Sequence, residues 1–336
     1  MGKELIRARA PLRIGMAGGG TDVEPYVSER GGCVFNATID KYAYCTVVPN
    51  NSDRLSIRSL DYGTFEASLD GGPLVYDGNM DLIKAVTNHF DITEGFDVFI
   101  HSDAPPGSGL GGSSTVIVAI LGAVTELLDK RMSDHELADL AFRLERQELG
   151  LKGGKQDQYA AVFGGFNLME FGKYVRVNSV HLKERTINEL QYCSLLCYTG
   201  KSRESANIID SQMTRYGSGS NTDALDASIQ LAIEGRNKLV RGDVKGFGQV
   251  LNEAWEQKKR FSPEISNDLL NKCYGTAMDN GAVGGKVSGA GGGGFMFFVC
   301  EYDKKHVVAK ELKKMGATIT DFMFEKKGVQ TWRHTE

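Results

Sequence analysis

A chain of 336 residues is too long for one comfortable core and implies two domains in close contact, which favours a cleft enzyme over a lone binding module. Its 41% hydrophobic and 24% charged content is that of an ordinary globular protein, and a net charge of -4 supplies no basic excess, so nucleic acid is excluded as a partner.

Glycine is the exception, with 41 residues against a usual share of roughly 7%. The surplus gathers at Gly18 to Gly20, Gly107 to Gly112 and Gly289 to Gly294, where the chemistry is to be sought. From Leu5 to Ile57 the runs are β-rich, as in Tyr42 to Val48, and open a mixed sheet. Phe96 to Ile100 alternates like a strand, the second glycine cluster follows, and Ser113 to Lys130 reads as an almost wholly apolar helix. Ser133-Asp134-His135-Glu136 forms a capping box for a further helix that stops at Gly150, just before Gly153-Gly154-Lys155-Gln156-Asp157. Strands continue to about Tyr198. Helices then cover Asp223 to Arg241, Val244 to Lys259 and Ile265 to Asn280. The third glycine cluster leads into the strand Phe295 to Val299, a helix from Lys304 and a last strand near Ile319 to Phe324. The expected division is 1–190 and 191–336, with no linker and no internal repeat.

The most apolar stretch, Thr115 to Val124, is about half the roughly 20 residues of a membrane span, so a membrane role is not expected. The N-terminus lacks the pattern of a secretory signal. Six cysteines show neither CxxC spacing nor disulfide-scaffold density, which points to buried, reduced thiols and a cytoplasmic protein.

The loop Pro105 to Ser114 runs straight into a helix. Its backbone N–H groups and the positive end of the helix dipole converge on one point, a place for an anion such as phosphate. The bland alternative is a tight connection that needs glycine only for packing; the serines at the helix start favour the phosphate reading, since their hydroxyls suit a phosphate-bound magnesium. Gly107, Gly109 and Gly112 satisfy GxGxxG, the mark of a dinucleotide-binding oxidoreductase, but the ribose-binding acid would then fall inside the helix at Glu126 or Asp129, so the match fails in context. No GxxxxGK[ST] is present, which excludes a P-loop kinase.

Three motifs in order resemble those of the GHMP kinases: Arg9 to Ile14 with Gly18-Gly19-Gly20-Thr21-Asp22, then Pro105 to Ser114, then Lys286 to Gly294. The resemblance covers nearly the whole chain. It implies an α+β fold with an N-terminal α/β domain containing a left-handed βαβ crossover and a C-terminal ferredoxin-like domain, the active site between them. It also implies ATP and Mg2+. Pro106, Gly107, Ser108, Gly109, Leu110, Gly111, Gly112, Ser113 and Ser114 would then form the nucleotide loop. Asp157 matches the family's proposed general base, and Arg13 the basic residue that keeps this base ionised and stabilises charge on the transferring phosphoryl group. Ser113 and Glu145 match the metal-associated pair. Ser114 competes with Ser113, because the loop reads Gly-Leu-Gly-Gly-Ser-Ser, and Glu148 competes with Glu145 by helical spacing alone. A binding protein that kept the fold and lost activity is disfavoured, since Asp157, Arg13, Ser113 and Glu145 are all present.

Thr21 and Asp22, with Gly19 and Gly20, match a sugar-holding segment. That segment, with Gly-Gly-Lys-Gln-Asp-Gln and Tyr-Thr-Gly-Lys-Ser-Arg, is most similar to the branch of the family acting on D-glycero-D-manno-heptose 7-phosphate, which implies transfer to the anomeric C1 hydroxyl. A fucokinase- or galactokinase-like enzyme is the alternative. The expected substrate site also includes Gly289, Ala290 and Gly291, with Lys155, Lys201 and Arg203 as candidate readers of the sugar's own phosphate. Lys258-Lys259-Arg260 is read as a solvated helix cap and Trp255 as core. A sugar phosphate is thus the expected partner, and homo-oligomerisation is left open.

Overall fold

The two longest strands, β1 (Glu4–Ala17) and β2 (Gly32–Pro49), form an antiparallel ribbon in the computed structural model, which describes residues 2–61, 63–200 and 205–336. Along the first half of β1, Ile6, Ala8 and Ala10 are buried in the cluster that holds Ile117, Ile120 and Leu121 of the helix Gly112–Leu127. Pairing with β2 shifts register between Pro11 and Arg13. Beyond that point Leu12, Ile14 and Met16 join a different cluster, with Phe247 and Leu251 of the helix Val244–Lys259. A break in pairing re-aims a strand's two faces. Arg13 and Gly15 are thereby left on the side that carries the glycine loop.

The β3 (Arg54–Ser59) and β4 (Gly63–Ser68) hairpin adds in parallel to β5 (Phe96–Ser102), which pairs with residues 43–49 of β2. Residues 32–37 of β2 instead pair with β6 (Phe166–Phe171), which carries β7 (Arg176–Ser179) on its other edge. The sheet therefore forks around the ribbon. The helix Gly112–Leu127 is apolar all round, with residues 114–125 buried, as a core helix must be. The capping box forms as expected: Ser133 Oγ accepts from the Glu136 N–H and the Glu136 carboxylate accepts from the Ser133 N–H at 2.7 Å.

The second sheet contains β8 (Ser194–Tyr198), β9 (Ala282–Val287), β10 (Phe295–Cys300) and β11 (Thr318–Thr320) in the order β11-β8-β10-β9, every neighbouring pair antiparallel. With helices between β8 and β9 and the helix Lys305–Lys314 between β10 and β11, this is the ferredoxin-like arrangement. Three departures from expectation stand out. Where strands are expected to continue to about Tyr198, a helix, Glu184–Cys193, stands between β7 and β8. The helix expected over Ile265 to Asn280 is broken: a short 3-10 turn, Pro263–Ile265, precedes a helix Asp268–Asp279 that Asn267 caps by accepting from the Leu270 N–H. An unexpected strand, β12 (Gln330–Thr335), returns to pair with β1. Its residues are nearly all exposed, so no apolar alternation announces it. Among the described residues no helix is long and apolar enough to cross a membrane.

Candidate active site

The three glycine clusters meet in one cleft. Phe295 N–H donates to Ser108 O at 2.9 Å, and the chain at Gly109 and Gly289 comes so close that a Cβ on Gly109, at φ +83°, would drive into the Ser288 carbonyl. Only glycine permits that approach with that backbone. The loop also holds β1, since Arg13 N–H donates to Leu110 O at 3.1 Å.

Arg13 crosses from β1 into the middle of this junction. Its Nε and Nη2 both lie 2.7 Å from Asp157 Oδ1, and its Nη1 donates to Gly109 O at 2.7 Å. Asp157 stands in the first turn of the helix Gln156–Phe163 and lines the cleft opposite Gly111. Because both guanidinium contacts fall on Oδ1, Oδ2 carries no hydrogen bond among the described residues.

Asp22 closes another wall. Its carboxylate accepts from Gly20 N–H at 3.1 Å, Gln156 N–H at 3.0 Å and Gln156 Nε2 at 3.3 Å. Burial pushes its pKa above the usual carboxylate range and the charge of Asp157 adds to that, while the Gln156 and Gly20 N–H groups oppose it. Gly19, Gly20, Gly289 and Ala290 also line the cleft. Thr21 does not: it is fully buried, and its hydroxyl bonds Gly18 O and the Cys33 backbone, so it holds the turn that presents Asp22. Gly291 packs against Ile265.

Behind the helix start, the carboxylate of Glu145 is enclosed. Its helix widens into a π-helical turn at Arg143–Glu148, a local irregularity often found at functional sites, and here Glu145 is wholly buried. Ser113 Oγ donates to Glu145 Oε1 at 2.6 Å, Ser114 Oγ to Oε2 at 2.7 Å, and Gln158 Nε2 to Oε2 at 2.6 Å. Arg146 adds a contact to Ser114 Oγ at 3.0 Å. Ser113 is exposed and lines the cleft, whereas Ser114 is buried. Glu148 is turned away and accepts from the Tyr76 hydroxyl.

The donor set suits magnesium: hard oxygens, one carboxylate and a hydroxyl beside the glycine-loop helix start, the pattern of an ion that keeps several waters and substrate oxygens. Ser108 Oγ, buried in the loop and lining the cleft, has no hydrogen-bond partner among the described residues, which suits a phosphate oxygen.

Basic residues fall differently from expectation. Lys155 does not line the cleft; its ammonium lies 3.7 Å from Glu24 and 5.2 Å from the centre of the Phe142 ring. Lys201 and Arg203 lie outside the described residues. Lys152 and Arg146 do line the cleft. The run Lys258-Lys259-Arg260 splits. Lys259 pairs with Glu256 and Arg260 with Gln257, as a solvated cap would, but Lys258 is buried at the cleft and donates to Gly289 O. Its buried position arises from the tertiary fold, and no local pattern marks it. Gln156 and Gln158, which flank Asp157 in sequence, gain their roles only in the fold, Gln156 as a donor to Asp22 and Gln158 as a donor to Glu145.

The family model for the GHMP kinases N terminal domain matches residues 79–165, and that for the GHMP kinases C terminal matches residues 236–318. The D-glycero-alpha-D-manno-heptose 7-phosphate kinase of Campylobacter jejuni is 40% identical over 98% of this chain and 99% of its own. The chain belongs to the GHMP kinase family. As members of that family are ATP-dependent kinases and its near relatives act on sugars, this GHMP kinase is a sugar-phosphate kinase. A D-glycero-D-manno-heptose 1-phosphate kinase from Bacteroides thetaiotaomicron superposes with a TM-score of 0.82 at 37% identity, covering 97% of this chain and 98% of that one. A bifunctional fucokinase/GDP-fucose pyrophosphorylase of Arabidopsis thaliana is more distant, 26% identical over 92% of this chain and 31% of its own length.

Proposed function

We propose that the protein transfers the γ-phosphoryl group of ATP to the anomeric C1 hydroxyl of D-glycero-D-manno-heptose 7-phosphate, giving the 1,7-bisphosphate used to make nucleotide-activated heptose. The observation that carries this reading is the Arg13–Asp157 pair, set where the glycine loop and the Gly19–Asp22 wall converge. Asp157 Oδ2 takes the hydroxyl proton as O1 bonds to phosphorus and the phosphorus–oxygen bond to the departing ADP breaks. Arg13 holds the carboxylate in place and faces the charge that develops. Gly19, Gly20, Asp22 and Ala290 hold the sugar, with Asp22 accepting from its hydroxyls. Magnesium, when bound by Ser113 and Glu145, neutralises phosphate charge. In this reading the protein acts in the cytoplasm.

The 40% identity to the heptose 7-phosphate kinase over almost the full chain supports this sugar over fucose. ADP release measured across heptose 7-phosphate, free heptose, fucose and galactose, with 31P NMR locating the new phosphate, tests the reading. Equal use of fucose or galactose, or a product phosphorylated away from C1, refutes the substrate assignment and leaves the kinase intact.

A further inference from the structure

Two buried lysines near the cleft, one of them lining it, are not used by the reaction described above. Lys258, at the end of the helix Val244–Lys259, and Lys286, in β9, are each almost completely buried, and neither has a carboxylate within ion-pair distance among the described residues. Lys286 Nζ donates to Gly15 O at 2.7 Å and Val287 O at 3.2 Å, so it is spent on holding β1 against β9. Lys258 is placed otherwise. It donates once, to Gly289 O, and an ammonium has three N–H groups to give. It also lines the cleft, beside Arg13 and within electrostatic reach of Asp22 and Asp157.

The charges around it do not balance. The Lys258 ammonium is opposed by Arg13 from β1 and attracted by Asp22 and Asp157, its own charge in turn disfavours Lys286 in β9, and Asp157 is already committed to Arg13. A buried ammonium with carbonyl contact only is costly, and an anion arriving beside it relieves that cost. We infer that Lys258 is a further catalytic residue, whose ammonium binds the phosphoryl group in flight between ATP and the sugar. This rests on the kinase reading but on no particular sugar. Lys258 is contributed by the helix that packs behind the second sheet, so the phosphoryl group is held from both sides: Arg13 from the first sheet, Lys258 from the second. The role resembles that of an arginine finger supplied by the same chain, worth far more at the transition state than in the ground state.

Burial lowers the Lys258 pKa to about 8, with Arg13 adding to the fall and Asp22 and Asp157 opposing it. Only the protonated form binds the phosphoryl group. In the free enzyme that form is lost as pH rises through about 8, so kcat/KM develops an alkaline limb there.

The test uses the full-length enzyme on whichever sugar the wild type turns over, in both its phosphorylated and free forms. Lys258→Met is expected to lower kcat about 10²-fold on both forms, with ATP affinity nearly unchanged, since removing one preorganised donor costs about that much. Lys258→Arg, which keeps the charge, is expected to recover at least tenfold of this and to lack the alkaline limb. Lys259→Ala, outside the cleft, should match the wild type. A loss confined to the phosphorylated sugar would make Lys258 a reader of the distal phosphate and overturn the proposal. So would a kcat for Lys258→Met within threefold of wild type. If Lys258→Met does not fold, the profile of Lys258→Arg decides, and a limb near pH 8 unchanged from the wild type overturns it.

Discussion

Arg13 and Asp157, 144 positions apart, meet through two guanidinium nitrogens on one carboxylate oxygen, Oδ1, and that leaves Oδ2 as the oxygen able to accept a proton. Asp157→Asn removes the acceptor while keeping the shape. Turnover is expected to fall roughly 10²–10⁴-fold with ATP affinity nearly unchanged. In a double-mutant cycle, Arg13→Gln and Asp157→Asn should be strongly non-additive, because each residue acts through the other. Near-normal steady-state turnover of folded Asp157→Asn would remove Asp157 from the base role.

The two serines at the helix start have different surroundings and should fail differently. Ser113 faces the cleft, so Ser113→Ala should raise the magnesium concentration for half-maximal rate, and it also takes from buried Glu145 Oε1 its hydroxyl donor, at some cost in stability. Ser114 Oγ is buried among Glu145, Arg146 and Gln158, so Ser114→Ala leaves those groups short of a partner and should cost about 1–3 kcal/mol in denaturant unfolding. If Ser114→Ala alone moved the magnesium dependence, the assignment would be reversed.

Gly109 joins the second and third glycine clusters at positive φ with no room for a methyl group. Gly109→Ala should destabilise by about 1–3 kcal/mol from strain and also depress kcat, because Arg13 is anchored on the Gly109 carbonyl. Thermal unfolding and steady-state kinetics on the same preparation check both parts.

Lys155 is turned out of the cleft toward Glu24 and the Phe142 ring, whereas Lys152 lines the cleft, its ammonium in an exposed, readily exchanged pair with Asp210 at 3.5 Å. On the substrate proposed above, Lys155→Ala should therefore leave the ratio of kcat/KM for heptose 7-phosphate over free heptose within about twofold. Lys152→Ala should lower it roughly tenfold, the size of one charge-assisted contact near the surface. The ratio of kcat/KM for the two sugars in each variant measures this directly, and Lys201→Ala and Arg203→Ala complete the comparison.

Much of the architecture was legible from local sequence, because its causes are local. The Ser133–Glu136 capping box, the apolar helix after the second glycine cluster and the helix Val244–Lys259 are short-range patterns of spacing and capping. The glycine loops are short-range too, since a tight turn and a helix start need glycine wherever they occur. The ordered motifs around Arg13, Asp157 and the Ser113 loop made the family recognisable. Pairing between distant segments was not legible. β12 is an exposed edge strand whose partner lies at the opposite end of the chain, so its residues carry no burial pattern of their own. Thr21 and Asp22 are adjacent, yet the turn buries one as a backbone brace and presents the other to the cleft. Lys258, Lys259 and Arg260 read as a single solvated cap, and packing of their helix beside the third glycine cluster separated the first of them from the other two. Burial of a charge is decided by what packs over it, and in this protein the covering segments come from elsewhere in the chain.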